Sequence, residues 1–176
     1  MKNKHGLIIV ILLGLTIGFL CGCTNNGKYV HCNYDLKYGS FCSSARQKSL
    51  ANKLRHQGAQ VSYFGDYIYI IFPSKMLFMK GTADLGPKAC NRFNLITAFL
   101  RCYQKITVRV IGFATPQEKS GCNVSLAHQQ AQKVVNNLWQ RQIDARLMYS
   151  SGRRAKTVAK KEYQSNRIEI VTKRLP

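Results

Sequence analysis

Acidic residues are the scarcest feature of this 176-residue chain: seven Asp and Glu stand against 27 Lys and Arg, for a formal net charge of +20. The seven are Asp35, Asp66, Asp84, Glu118, Asp144, Glu162 and Glu169, and none has a His or Ser beside it at motif spacing. Paired-carboxylate and nucleophile–base chemistry therefore lack a set of residues to run on, and no enzymatic activity and no cofactor are expected. Glycine-rich phosphate loops are also missing. No Cys/His group has the spacing of metal ligands, and His31 beside Cys32 reads as a loop residue rather than a zinc ligand.

What is present begins with a targeting segment over residues 1–22. Lys2, Lys4 and His5 form a basic start, and residues 7–20 are an apolar run as long as a signal-peptide core and short for a permanent span. The run ends in Leu20-Cys21-Gly22-Cys23. A small residue directly before a cysteine resembles the bacterial lipoprotein cleavage signal, which makes Cys23 the lipidated first residue of the mature chain. Cys21 is the poorer candidate because bulky Leu20 precedes it, and an uncleaved signal anchor is the alternative. Thr24 rather than Asp after Cys23 implies sorting to the outer membrane, with the rest of the chain in the periplasm. Lipid chains on one cysteine hold a protein firmly, since more than one is needed for stable anchoring.

Removing Lys2 and Lys4 still leaves a charge of about +18. Such an excess would ordinarily suggest nucleic acid, but an exported chain does not meet its own cell's nucleic acid, so none is expected as a partner. The anionic partners left are peptidoglycan carboxylates, lipid head groups and lipopolysaccharide phosphates, or an acidic neighbouring protein.

Five further cysteines, Cys32, Cys42, Cys90, Cys102 and Cys122, make an odd set, so at least one stays free or pairs between chains. Cys90 and Cys102 read as lying on one helix about 18 Å apart, which forbids a bridge between them. Cys32–Cys42 is the local pair able to staple a loop, with two free thiols as the alternative.

Residues 23–42 have no sustained period and read as a tether, leaving one domain over 43–176. A basic helix is expected over 44–57, capped by Ser43 or Ser44, with Leu50, Ala51 and Leu54 on one face and Gly58 as its stop. It either leans on the domain or lies on a membrane surface. Strands over 60–64 and 67–72 flank Gly65-Asp66, a hairpin turn with glycine at the positive φ of type II′, and Pro73 ends the second strand. After a loop at 82–87, residues 88–103 read as a helix with Ala89, Phe93, Ile96, Phe99 and Leu100 facing a core.

The organising stretch is 107–170. Val108, Val110 and Ile111 form a buried strand that stops at a turn at Gly112, followed by the loop Phe113-Ala114-Thr115-Pro116. A helix then spans 123–141, with Asn123 as N-cap and Ala127, Ala131, Val134, Val135, Leu138 and Trp139 on its buried side. Strands over 146–149 and 167–172 complete a sheet. The basic run Arg153-Arg154-Ala155-Lys156 with Lys160-Lys161 falls in the loop between them, either solvated or an anion site. The fold class is α+β, a sandwich of a mixed sheet with helices packed on one face.

Gly112-Phe113-Ala114-Thr115, Asn123, the helix start Leu126-Ala127-His128-Gln129-Gln130-Ala131 and the terminal Asn166-Arg167-Ile168-Glu169-Ile170 resemble the OmpA-like peptidoglycan-binding domain over roughly residues 60–172. The resemblance implies a ligand site at Thr115, Asn123, Gln130 and Arg167. In the family an Asp holds the diaminopimelate amine and an Arg pairs its carboxylate. Here Thr115 stands at the Asp position and Gln130 at the Arg position, while Arg109 or Arg167 is placed to compensate. The run Gly65-Asp66-Tyr67, Phe72-Pro73-Ser74 and Leu77-Phe78 further resembles the OmpA-like lipoproteins of the Dot/Icm type IVB secretion apparatus. That resemblance implies a structural subunit whose partners are other outer-membrane subunits of the secretion complex, the outer membrane through its lipid, and peptidoglycan. The alternative is a degenerate site in a domain that binds only proteins.

Overall fold

The computed structural model describes residues 42–115, 122–155 and 166–176, and of residues 122 and 123 the backbone alone. The lipidation candidate Cys23, the signal segment, all of the expected tether but Cys42, and Lys156, Lys160 and Lys161 lie outside the described residues.

Helix α1 (Ser44–His56) starts at Ser43, whose side chain accepts from the Arg46 N–H at 3.3 Å. It buries Leu50, Ala51 and Leu54, the thin apolar face expected of a helix leaning on a domain. Strands β1 (Gln60–Phe64) and β2 (Tyr67–Pro73) form the hairpin, with Phe64 paired to Tyr67 and Gly65 at φ +55. Alternation in β2 is strict: Ile68, Ile70 and Phe72 are buried, while Tyr67, Tyr69 and Ile71 face the other way. A short 3-10 turn (Ser74–Met76) leads to a loop closed by the Phe78–Leu85 bridge, then to α2 (Ala89–Leu100). This helix ends before Tyr103, so Cys102 sits in the turn beyond it.

Strand β3 (Ile106–Ala114), helix α3 (Cys122–Gln140) and strand β4 (Ala145–Arg154) form a parallel crossover, and β5 (Arg167–Arg174) inserts between β2 and β3. The sheet order is β1-β2-β5-β3-β4, antiparallel except for β3 with β4. Residues from all three helices join the inward side chains of the strands, Val61, Ile70, Val108, Val110, Ile168 and Ile170 among them, in one core. The helices therefore share one face of a mixed sheet, the α+β sandwich expected. Among the described residues no helix is long and apolar enough to cross a membrane.

Several expectations are corrected. Gly112 does not end its strand: β3 runs on through Phe113 and Ala114, and Gly112 pairs with Gly152 of β4. These two glycines form a notch under α3. A Cβ on Gly112 would run into the Ala127 carbonyl, and one on Gly152 would lie 2.6 Å from the Val124 oxygen. Both glycines serve close approach of helix to sheet rather than a turn. Asn123 is the second residue of α3 rather than its cap. Trp139, expected on the buried side, is 69% exposed, because it lies about 100° round the helix from Leu138, off the stripe of Ala127, Ala131, Val134 and Leu138. Strand β4 continues to Arg154, so Arg153 and Arg154 belong to the sheet and not to a loop. Ala155 follows them buried, its N–H donating to the Ala114 carbonyl at 2.8 Å.

The Cys32–Cys42 pairing is also overturned: Cys42 is bonded to Cys102, with Cα atoms 4.8 Å apart. Proximity in sequence misled, since α1 and α2 pack together and bring their far ends into reach. Cys90 is disulfide-bonded as well, though not to Cys102.

Candidate functional site

A cavity of about 670 Å³ opens where the end of β3, the first turns of α3 and the loop after β2 converge. The 3-10 turn and its loop supply Ser74, Lys75, Lys80 and Gly81, α3 supplies Leu126, Ala127 and Gln130, and Ala114 and Asn166 close the base. The glycine notch explains this geometry. With no Cβ at Gly112 or Gly152, the start of α3 sinks against the strands, and the residues one turn on face the loop after β2.

Gln130 lies three residues after buried Ala127 and is itself only 6% exposed. Its Nε2 donates to the Thr82 carbonyl at 2.6 Å, so one of its two N–H donors ties α3 to the far wall of the cavity. Thr115 is held by Asn166, whose Oδ1 accepts from the Thr115 N–H at 2.8 Å and from its hydroxyl at 2.9 Å. The Asn166 carbonyl in turn accepts from the Ser74 N–H at 2.9 Å. Asn166 thus clamps three segments at the cavity rim. The Ser74 hydroxyl is buried in the wall, with no hydrogen-bond partner among the described residues.

The structure places the four ligand candidates unequally. Gln130 lines the cavity and Thr115 is joined to its rim through Asn166, whereas Asn123 is placed only as a backbone position in the first turn of α3. Arg167 does not line the cavity, although Phe113, on which it stacks, is a lining residue. Its register partner Phe113 and its neighbour Glu169 share the sheet face opposite the helices, where its Nε donates to Glu169 Oε1 at 2.7 Å and its guanidinium lies 3.9 Å from the Phe113 ring centroid. Arg109 faces the same way, two register steps along. Neither arginine lines the cavity, and the cationic side chains that do are Lys75 and Lys80. Sequence reasoning missed both lysines and Asn166. The signal for Asn166 was available at the head of its terminal motif, but for the lysines it was one basic loop among several.

The family model described as "OmpA family" matches residues 77–170, more than half of the chain. "Probable lipoprotein YiaD" of Escherichia coli K12 is 27% identical over 131 residues, covering 71% of this chain and 60% of that protein. This chain therefore spans about three fifths of that relative's length. Among solved structures, the cell wall anchor of the T6SS from Pseudomonas aeruginosa superposes with a TM-score of 0.62 at 18% identity, over 74% of this chain and 97% of that one. A MotB-like protein from Desulfovibrio vulgaris gives 0.60 at 16%, over 73% and 94%. At such identities the two structures speak for the fold alone. The β3–α3–β4 crossover, the α3 start over the Gly112 notch and the terminal Asn166 motif lie within the matched region, and the chain belongs to the OmpA family.

Proposed function

We propose that this chain is a structural outer-membrane lipoprotein, anchored through Cys23, with its OmpA-like domain in the periplasm as a subunit of a Dot/Icm type IVB secretion outer-membrane complex, similar to the lipoprotein DotK/IcmN. Its part is assembly rather than catalysis. In this reading the domain is held chiefly by neighbouring subunits and grips peptidoglycan weakly. The observation that carries the weak grip is Gln130: the position expected to pair a carboxylate with charge holds a neutral amide whose N–H is turned to the Thr82 carbonyl. Thr115 is likewise neutral and engaged with Asn166. Replacing a charged partner on each side of a ligand removes about 1.5–3 kcal/mol per charge-assisted bond, more than a hundredfold in affinity when both are lost.

Pull-down with purified sacculi at physiological salt tests this. Residues 42–176, which keep the Cys42–Cys102 bond, should bind weakly or not at all, and Thr115→Asp with Gln130→Arg should restore binding. Tight, salt-resistant binding by the unaltered domain would instead make it a working cell-wall tether. That second reading draws support from Lys80, a cationic residue that lines the cavity.

Anchoring is tested separately. With Cys23→Ser, incorporation of a fatty-acid analogue should be lost and the protein should leave the membrane fraction. Label retained by the variant would refute Cys23 as the lipidated residue.

A further inference from the structure

The sheet face turned away from the helices carries a pattern that the cavity does not use. Register sets Tyr69, Val171, Arg109 and Tyr149 side by side across β2, β5, β3 and β4. The adjacent row runs from Phe64 of β1 through Tyr67 and Lys173, whose Nζ lies 5.7 Å from the Tyr67 ring centroid, to Leu147. Phe64, Tyr67, Tyr149 and Leu147 are 78%, 38%, 43% and 55% exposed, so the described residues leave them open. Arg153 stands at the other end, beside Phe113 under Arg167. Among the described residues of this face the acid is Glu169, and it is bonded to Arg167.

We propose that this outer face, centred on Arg109, Tyr69 and Tyr149, docks an acidic polypeptide segment of a partner protein. The occupant follows from charge. Within the 176 residues the two acids nearest in sequence, Glu162 and Glu169, are seven positions apart, so no segment of this chain supplies an acidic run. A second copy would set +20 against +20. The row Tyr69, Arg109 and Tyr149 has the Tyr and Arg composition enriched in protein interfaces, and anionic lipid, which Phe64, Leu147 and Lys173 beside it would also suit, is the competing outcome that the vesicles test. Four strands spaced about 4.8 Å apart make a narrow patch, so a weak, transient contact is expected. The proposal goes beyond the assembly role and does not depend on whether the cavity binds peptidoglycan.

The test uses the full-length lipidated protein in detergent with a synthetic extended peptide of alternating Glu and Val, followed by fluorescence anisotropy, and vesicles of phosphatidylglycerol as competitor. Binding should weaken steeply as salt rises from about 0.05 M to about 0.3 M, as the Debye length shrinks. Arg109→Glu with Lys173→Glu should reduce affinity at least tenfold, Tyr149→Ser with Leu147→Ser should reduce it with charge unchanged, and the charge-matched pair Arg46→Glu with Lys48→Glu, exposed on α1, should leave it unchanged. Circular dichroism melts confirm that each variant is folded. Affinity unmoved by both outer-face pairs, or binding to vesicles without binding to peptide, would overturn the proposal.

Discussion

Gly112→Ala is expected to destabilise the domain by about 3 kcal/mol or more and to lower its melting temperature by about 10 °C. The added methyl meets the Ala127 carbonyl, which is helix backbone and cannot rotate aside. Relief requires the start of α3 to lift from the sheet, which also parts Gln130 from Thr82 and opens the cavity. Gly86→Ala is the matched control, because its new Cβ would find its nearest neighbour at 3.7 Å, an ordinary contact. Thermal melts compare the two. A Gly112→Ala melt within a degree or so of the unaltered protein would show that α3 does not need its seat.

The second large effect belongs to the bridge between Cys42 and Cys102. It closes a loop with a sequence separation of 60, and loop-closure entropy puts its contribution at about 4 kcal/mol. Cys42→Ser, Cys102→Ser and the double substitution should lower the free energy of unfolding in denaturant titrations by nearly the same amount. Two halves of one bond are lost only once. Losses that add across the double variant would contradict the pairing.

Much of the fold was legible because periodicity survives where burial is one-sided. The β2 alternation, the α2 stripe Phe93, Ile96 and Leu100, and the Gly65 turn all stand where pattern placed them. What the pattern could not carry was tertiary. The Gly112–Gly152 pairing needs two strands some forty residues apart in sequence to be neighbours, and the Cys42–Cys102 bond needs α1 against α2. Strand β4 was cut short because its outward side chains are polar or exposed, so its last residues look like a loop although their backbone stays in the ladder. At the candidate site, spacing located Gln130 and Thr115, but whether an amide faces a ligand or the opposite wall is decided by the Thr82 carbonyl, a backbone atom invisible to composition.

The Cys42–Cys102 bond also sets the route by which force enters the domain. Tension along the chain from its N-terminal side arrives at Cys42, one residue before the cap of α1. Without the bridge, α1 would be the first element to bear it, and a thin face of Leu50, Ala51 and Leu54 would peel one turn at a time. With the bridge, tension passes across the sulfur bond to the end of α2, where Phe99 and Leu100 are fully buried. The pull is then shared by the packed core, α1 is relieved of load, and the domain withstands tugging from its leading end like a clamp rather than a zipper.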